Sequence, residues 1–505
     1  MTVWSVYAMK NGKLMEVPTI DSSELKKSAL LGAFWKFAER IGAQFVSLVV
    51  SIVLARLLTP DDYSVVGITT VFFAFCNVFI TGGFNSALIR KKDADDTDYS
   101  SVFHISVWIA VAMYIGLFFA APAIAELYEK PILIPAFRVM GITLIINAVK
   151  SVVCAYISNK LQFKKFFFAT LGGTLISAVV GVCMALKGFG PWALIAQNMT
   201  NSLIDTLILF ATTKLRILLV VSWKRLKELF NYGWKIFAAS VITVIYDESN
   251  AFIIGLKFTT ADLSFYTKGR SYPSILNTAI NGTLSAVLFP VMSKVQDDAD
   301  AVLGYTRRFI RVASFLIFPI MVGFMAVSDN FIRLLLTEKW MPAAPYIKIF
   351  CVSYMFNLIQ QGNLQTIRAV GRSDIILKLE IIKKSLYLLV VIGAVILSNS
   401  PETLAATVLI NTLIAMIANS SPNKKLIGYG FKQQIWDILP NLVASAVMGV
   451  AVYAIGYLSL PIWLSLIVQI IGGMLTYIAI NIIIKNPNLK YMWITLKGCF
   501  YKNGR

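Results

Sequence analysis

Long runs of apolar residues recur along almost the whole chain, and short polar stretches separate them. A membrane-spanning helix needs about 20 mostly apolar residues. The runs predict such helices near 31–57, 63–89, 101–125, 133–156, 167–186, 191–212, 233–256, 272–291, 309–328, 346–367, 374–397, 403–420, 438–457 and 462–483. Two of these segments, 63–89 and 272–291, are polar for membrane helices, and 374–384 is too charged to lie wholly in lipid. The pattern predicts an all-α integral membrane protein of about 14 transmembrane helices.

The distribution of lysine and arginine between the loops predicts the orientation, because cytoplasmic loops are enriched in these residues. With the N-terminus inside, the cytoplasmic side holds residues 90–92, Lys160, Lys164, Lys165, Lys214, Arg216, Lys224, Arg225, Lys227, Arg307, Arg308, Arg368, Arg372, Lys424, Lys425, Lys432 and the tail 485–505. The periplasmic side then holds few: Lys130, Lys187, Lys257, Lys268, Arg270, Arg333 and Lys339. We therefore predict that both termini lie in the cytoplasm.

A short internal repeat predicts how the helices are grouped. The sequence RLLTPD at 56–61 follows the first predicted helix, and KFTTAD at 257–262 follows the seventh, 201 residues later. Two parallel six-helix bundles result, an arrangement found in transporters. The expected segments are a cytoplasmic N-terminal segment 1–30, bundles 31–212 and 233–420, a linker 213–232, a cytoplasmic loop 421–437, two further helices in 438–483 and a basic tail 484–505. Within the linker, residues 223–230 are typical of an amphipathic helix at the membrane interface.

Composition narrows the class of function. Only 14% of residues are charged, against about 25% in soluble domains. The net charge of +20 suits basic cytoplasmic loops better than nucleic-acid binding, since no basic soluble domain is present. The only histidine is His104, and the five cysteines are scattered, so neither a metal site nor a disulfide framework is expected. No nucleotide-binding or hydrolase motif occurs, and we predict a protein that is not an enzyme and needs no cofactor.

Polar side chains recur at helical spacing inside several apolar segments. These stripes are Lys36, Arg40, Gln44, Ser47 and Ser51 in the first helix; Ser240, Thr243, Asp247 and Asn250 in the seventh; Arg270, Ser274, Asn277, Asn281 and Ser285 in the eighth; and Tyr354, Asn357, Gln361, Gln365 and Arg368 in the tenth. Hydrogen bonds between packed helices explain single polar residues. Stripes of up to five residues in both halves favour a hydrated cavity.

Charged residues within these helices are costly in lipid and usually mark a pathway or a partner. Lys36 and Arg40 lie one helical turn apart and repel each other. Glu39 is an internal counter-ion, a diphosphate is an external one, and both side chains could instead extend to cytoplasmic headgroups. Asp247 lies on the stripe of the seventh helix, where it binds either a coupling cation or a basic side chain.

Three segments resemble bacterial polysaccharide flippases of the multidrug/oligosaccharidyl-lipid/polysaccharide exporter superfamily, especially the colanic acid exporter type. They are 54–63 (LARLLTPDDY), 286–298 (AVLFPVMSKVQDD) and 328–340 (SDNFIRLLLTEKW), and the resemblance extends over nearly the whole chain from about residue 28. The resemblance implies two six-helix bundles around a central cationic cavity that opens alternately to each side. It also implies an oligosaccharide on undecaprenyl diphosphate as substrate, with the polyprenyl tail remaining in lipid.

On this basis we predict a flippase in the bacterial inner membrane that serves exopolysaccharide, capsule or O-antigen synthesis. Lys36, Arg40 and Arg270 are the candidates for the diphosphate, and Asp247 is the candidate for a coupling proton or sodium ion. The candidates for the sugar are Asn277, Asn281, Gln361 and Gln365. A polysaccharide polymerase or glycosyltransferase is the expected protein partner, and no nucleic acid is expected.

Three alternatives stay open at this stage. A drug/cation antiporter of the same superfamily would carry more intramembrane carboxylates and fewer cavity cations than this chain does. A membrane-embedded polymerase or glycosyltransferase would normally have a sizeable periplasmic loop, whereas the longest such loops here, near 257–271 and 329–345, are short. A structural scaffold would not need the polar stripes.

Overall fold

The computed structural model describes residues 7–10, 13–16, 42–91, 93–160, 162–213, 215–293, 298–486 and 488–489, and it describes only the backbone of 232, 282–293, 369 and 373. Lys36 and Arg40 therefore lie outside the described residues, and their roles stay predictions. Within the predicted N-terminal segment, strands β1 (Tyr7–Lys10) and β2 (Lys13–Glu16) pair antiparallel. All other regular structure in the described part of the chain is helical.

Sixteen helices follow one another along the described chain. The first eight are α1 (Gly42–Leu57), α2 (Pro60–Thr81), α3 (Phe84–Arg90), α4 (Asp96–Leu127), α5 (Leu133–Met140), α6 (Ile142–Asn159), α7 (Lys164–Leu186) and α8 (Pro191–Thr212). The second eight are α9 (Trp223–Lys257), α10 (Thr260–Ser293), α11 (Ala299–Phe331), α12 (Ala344–Ala369), α13 (Ser373–Leu397), α14 (Pro401–Ile427), α15 (Phe431–Ile455) and α16 (Ile462–Ile483). A π-helical turn (Ile332–Leu336) and a 3-10 helix (Glu338–Ala343) join α11 to α12.

Among the described residues, nine helical segments are long and apolar enough to cross a membrane. They comprise α2, α4, the pair α5–α6, α7, the part of α9 from Gly233, α11, α14, α15 and α16. The other five predicted spans overlap α1, of which the structure describes Gly42–Leu57, and the helices α8, α10, α12 and α13, which are more polar. The prediction of a multi-pass helical membrane protein is thus confirmed apart from the short pair of strands near the N-terminus, while the number of 14 spans stays a prediction.

Three predicted boundaries differ from the structure because polar residues continue helices instead of ending them. The predicted interfacial helix 223–230 is the beginning of α9, and its buried Leu226 and Leu229 pack on α3 and α4. The predicted loop 257–271 is mostly the first three turns of α10, which begins at Thr260. The predicted loop 421–437 shrinks to 428–430, since α14 and α15 extend into it from both sides.

The repeated sequence has a structural counterpart at the start of α2 and of α10. The Thr59 hydroxyl accepts from the backbone N–H of Asp62 (3.2 Å), and the Asp62 carboxylate accepts from the N–H of Thr59 (2.8 Å). Thr259 and Asp262 form the same pair of bonds at 3.2 and 3.0 Å. Each is a capping box, which satisfies two unpaired donors at a helix start. The two boxes align the copies 200 residues apart (259 − 59), one fewer than the sequence match suggests.

The last two helices pack against the second half of the chain. The Asp437 carboxylate of α15 accepts from Arg307 Nε (2.6 Å) and from Arg311, both on α11, and from the Tyr429 hydroxyl (2.8 Å). On α16, the Tyr477 hydroxyl donates to the carbonyl of Phe315 (2.9 Å). These bonds attach α15 and α16 to α11, in the second half of the chain.

Candidate functional site

Helices α9 and α10 form a wall with a polar cavity on each side. Adjacent residues of α9 face opposite cavities: Asp247 lines one, and Glu248 lines the other. On α10, Arg270 lines the first cavity, and Lys268 lines the second. Successive helical residues are about 100° apart, so one wall can supply both sides. Each cavity thus receives one acidic residue from α9 and one basic residue from α10.

The C-half cavity, on the Asp247 side, has a volume of about 210 Å³. Its charged residues are three basic and two acidic: Arg270, Lys383, Lys384, Asp247 and Glu380. Lys383 Nζ lies 2.6 Å from Glu380 Oε1, and Arg270 Nη1 donates to the main-chain carbonyl of Asp247 (3.2 Å). Its hydroxyl and amide side chains include Tyr246, Ser353, Tyr354, Asn357, Gln360 and Asn411. The cavity therefore combines an excess of positive charge with neutral hydrogen-bonding groups.

The N-half cavity, on the Glu248 side, has a volume of about 320 Å³. Its neutral polar side chains include Ser47, Ser51, Thr70, Gln197, Asn198 and Asn201. Hydroxyl and amide groups both donate and accept hydrogen bonds, which suits polyhydroxylated ligands. Lys268 is 8% exposed, and its ammonium forms no ion pair among the described residues.

An apolar groove of about 740 Å³ lies beside the N-half cavity. Helices α1, α10, α11, α15 and α16 line it, with side chains that include Leu48, Phe324, Met448 and Ile478. Ser51 lines the polar cavity and hydrogen bonds with the hydroxyl of Tyr272 (3.4 Å), which lines the groove. The N-half cavity and the apolar groove are therefore adjacent in this molecule.

The two halves are fastened together where the α1–α2 and α9–α10 turns meet, at the predicted periplasmic end. Thr260 donates to the Asp61 carboxylate (3.3 Å). Trp340 Nε1 donates to the carbonyl of Ala55 (2.8 Å), and Lys339 Nζ donates to that of Arg56 (2.7 Å). Contacts across the halves therefore close this end, which we call the latch end.

The structure brings together two of the predicted site residues, Asp247 and Arg270, in the C-half cavity. Arg270 lies within α10 instead of in a periplasmic loop, about 15 Å along the helix from Thr260 at 1.5 Å per residue. No group of three or more His, Cys, Asp or Glu side chains that could hold a metal ion occurs in the described part of the chain. The role of Asp247 in ion coupling stays a prediction.

The predicted sugar-binding residues line neither polar cavity. Asn277 is 8% exposed, and its Oδ1 has no hydrogen-bond partner among the described residues. Asn281, Gln361 and Gln365 are half-buried, and their proposed contacts stay untested. On α12 the cavity is lined instead by Tyr354, Asn357 and Gln360, so part of the predicted stripe does face it.

Five charged cavity residues were not among the predicted site residues: Glu248, Lys268, Glu380, Lys383 and Lys384. The sequence does contain a signal for Lys383 and Lys384 on α13: the segment 374–384 is too charged to lie wholly in lipid, which indicates that part of it faces protein or water. Lys268 looked like a loop residue, although it lies two turns inside α10.

Comparisons with known proteins agree with this architecture. The family described as "Polysaccharide biosynthesis protein" matches residues 53–345, more than half of the chain. The succinoglycan biosynthesis transport protein ExoT of Rhizobium meliloti is 23% identical over 336 residues, which cover 66% of this chain and 67% of ExoT. The lipopolysaccharide biosynthesis protein WzxC of Escherichia coli is 22% identical over 440 residues, covering 84% of this chain and 88% of WzxC.

A solved structure has the same fold. The lipid II flippase MurJ in an inward closed conformation superposes with a TM-score of 0.71 at 16% identity, covering 90% of this chain and 98% of MurJ. At that identity the likeness shows the fold alone. Together with the relatives, it confirms the resemblance to polysaccharide flippases that the sequence motifs indicated.

Proposed function

This chain belongs to the polysaccharide biosynthesis protein family, and we propose that it is a transporter that flips an oligosaccharide linked to undecaprenyl diphosphate across the bacterial inner membrane. Relatives named for polysaccharide transport and synthesis support a role in exopolysaccharide, capsule or O-antigen production. The nine apolar segments among the described residues agree with a multi-pass location.

The observation that carries the proposal is the contact between a polar, charged cavity and an apolar groove. A lipid-linked sugar has a hydroxyl-rich head, an anionic linkage and a long hydrocarbon tail. The N-half cavity offers hydroxyls, amides and the Lys268 ammonium, and the 740 Å³ groove beside it offers a surface for the tail. The tail comes from lipid and not from water, so the groove provides no hydrophobic driving force for it. What the groove offers is an apolar path for the tail beside the cavity that holds the head.

We assign the individual roles from charge and from place in the sequence. Lys36 and Arg40 meet the diphosphate first, from the predicted cytoplasmic side, and Arg270 provides a second contact after the carrier changes conformation. Arginine suits this task because its planar guanidinium binds phosphate oxygens in pairs. Asp247 shares the cavity of Arg270 and is the proposed site of coupling to a proton or sodium ion.

The proposal is tested by reconstituting the protein in liposomes with a fluorescent undecaprenyl-diphosphate oligosaccharide and following its protection in the inner leaflet. We expect protein-dependent translocation, and we expect Arg270→Gln to slow it by about tenfold or more, because a hydrogen bond to a charged group contributes about 1.5–3 kcal/mol. Lys187→Gln is the matched control, because Lys187 is an exposed basic residue that lines neither cavity.

The outcomes separate the alternatives. Efflux of cationic drugs without lipid translocation would identify an antiporter, and polymer formation without transport would identify an enzyme. Equal slowing by Arg270→Gln and Lys187→Gln would remove Arg270 from the substrate path. Full polymer output in cells from a Lys36→Ala/Arg40→Ala variant would refute the diphosphate role of those two residues.

A further inference from the structure

Lys268 joins the two halves of the molecule through a single ammonium group. It belongs to α10 of the second half, and its Nζ donates to Ser51 Oγ of α1 (2.9 Å). The same Nζ lies 4.0 Å from the centre of the Tyr63 ring on α2 and 5.8 Å from that of Trp340. Tyr63 and Trp340 meet edge to face at 5.2 Å. The ammonium is therefore enclosed by one hydroxyl and two aromatic rings.

These neighbours leave some of the hydrogen-bond donors of the Lys268 ammonium unused. Lysine has three N–H donors, but Ser51 is the one hydrogen-bond acceptor of Lys268 among the described residues. A buried charge without a counter-ion is costly, and contact with aromatic faces recovers only part of that cost. Glu248 lines the same cavity but lies beyond ion-pair distance of Lys268. An oxyanion that enters the cavity would thus be a better partner than the groups that hold the ammonium now.

The position of Lys268 connects the cavity with the latch end. On one side it faces the N-half cavity. On the other side it contacts Trp340, whose Nε1 donates to the carbonyl of Ala55. The contacts that hold Lys268 are therefore part of the contacts that close the molecule, and a movement of the ammonium toward a ligand would weaken them.

We propose that Lys268 is an anion-responsive latch: it holds α1 and α2 to α10 in the empty carrier, and it transfers to an oxyanion of the substrate when the cavity fills. The oxyanion is a phosphate of the lipid linkage or a carboxylate of an acidic sugar. This inference rests on the proposed function for the identity of the substrate, while the latch itself rests on the contacts of Lys268.

Closure is measured by cross-linking two cysteines introduced at Asp61 and Thr260, in a variant whose five native cysteines are replaced. Without ligand, Lys268→Met is expected to lower the ratio of cross-linked to uncross-linked carrier about fivefold, which corresponds to about 1 kcal/mol and is typical of a cation–π contact. Lys268→Arg keeps the charge and is expected to preserve closure. A normal monodisperse elution profile establishes that each variant is folded.

The response to ligand distinguishes a sensor from a merely structural residue. Inorganic diphosphate, glucuronate and neutral glucose are added in parallel, and we expect one of the two anions to lower cross-linking in the otherwise wild-type carrier but not in Lys268→Met. Lys339→Met is the matched control: Lys339 also bridges the halves, through the carbonyl of Arg56, but it lines neither cavity. It should weaken closure and still respond to the anion.

Each outcome decides the inference. A response to diphosphate assigns the oxyanion to the lipid linkage, and a response to glucuronate alone assigns it to the sugar. A response to neither anion, or an undiminished response in Lys268→Met, overturns the latch even if lipid translocation is normal. Conversely, a response that depends on Lys268 in a carrier that moves no lipid-linked oligosaccharide supports the latch and refutes the proposed function.

Discussion

Replacement of Gly83 by alanine is expected to destabilise the protein more than the same change at Gly233 or Gly393. Gly83 precedes α3 in the first half, and its backbone crosses that of Gly233 in α9. A Cβ added at Gly83 would lie 2.1 Å from the carbonyl oxygen of Gly233 and 2.7 Å from the carbonyl carbon. Both are backbone atoms, so no side chain can rotate to relieve the overlap.

The magnitude follows from two contributions. Overpacking of a tight contact costs about 1–3 kcal/mol, and the left-handed φ of +74° at Gly83 adds about 1–2 kcal/mol for alanine. The sum is roughly 2–5 kcal/mol. At Gly233 a Cβ would meet Gly83 at 3.0 Å, and alanine favours the helix by up to about 1 kcal/mol, so the net cost is smaller.

Thermal unfolding in detergent, followed by the intrinsic fluorescence of the protein, tests this reasoning. The matched control is Gly393→Ala in α13, where a Cβ would meet nothing within 4 Å. We expect the lowest melting temperature for Gly83→Ala, an intermediate one for Gly233→Ala and one at or above wild type for Gly393→Ala. If Gly83→Ala melts with the wild-type protein, the two halves do not touch backbone to backbone at this point.

Three further predictions concern single residues. Thr337→Gly should raise the melting temperature, because Thr337 has φ +85° and ψ 165°, a region almost reserved for glycine that costs about 1–3 kcal/mol. Asp95→Asn should make the melting temperature depend less steeply on pH in acid. The hydrogen bond from Arg225 holds the pKa of Asp95 below its ordinary value of 3.8. The stability that Asp95 contributes is therefore present above pH 3.8 and is lost as the pH falls through the lowered pKa. Asp437→Asn should cost about 1–3 kcal/mol in thermal unfolding, less than a fully buried pair, because the side chain of its partner Arg307 is 48% exposed.

Each of these predictions has a distinct contrary result. A lower melting temperature for Thr337→Gly would mean that the threonine side chain contributes more than the backbone conformation costs. Parallel acid limbs for Asp95→Asn and wild type would show that another carboxylate governs acid stability. An Asp437→Asn protein with wild-type stability would indicate that water stabilises the two arginines as well as the Asp437 carboxylate does.

Hydropathy located most helices well, but it missed the polar beginning of α10. The predicted segments 191–212 and 462–483 coincide with α8 and α16 to the residue. The sequence predicts a loop where α10 begins, because Lys268 and Arg270 interrupt the apolar pattern of this segment. Their side chains line protein cavities instead of contacting lipid. A hydropathy average over the sequence cannot distinguish a protein cavity from lipid.

The candidate site shows a second limit of the same kind. Helical spacing indicated which helices carry polar stripes, and α12 does line the C-half cavity. It does so with Tyr354, Asn357 and Gln360, whereas the prediction favoured Gln361 and Gln365. A shift of one residue turns a side chain by about 100°, so the face that reaches a cavity depends on how neighbouring helices pack.

The two ends of the interface between the halves are built from different contacts, and this difference bears on transport. At the latch end, equivalent turns of the two repeats meet through polar groups such as Thr260 and Asp61. A polar contact of this kind can be exchanged for water at a net cost of about 0.5–1.5 kcal/mol. At the opposite end, Gly83 and Gly233 meet backbone to backbone, with no side chain that could release the contact. We therefore expect changes at Thr260 to alter the rate of translocation at constant stability and changes at Gly83 to alter stability first. If changes at Gly83 altered the rate and changes at Thr260 altered stability, the opening movement would instead occur where Gly83 and Gly233 meet.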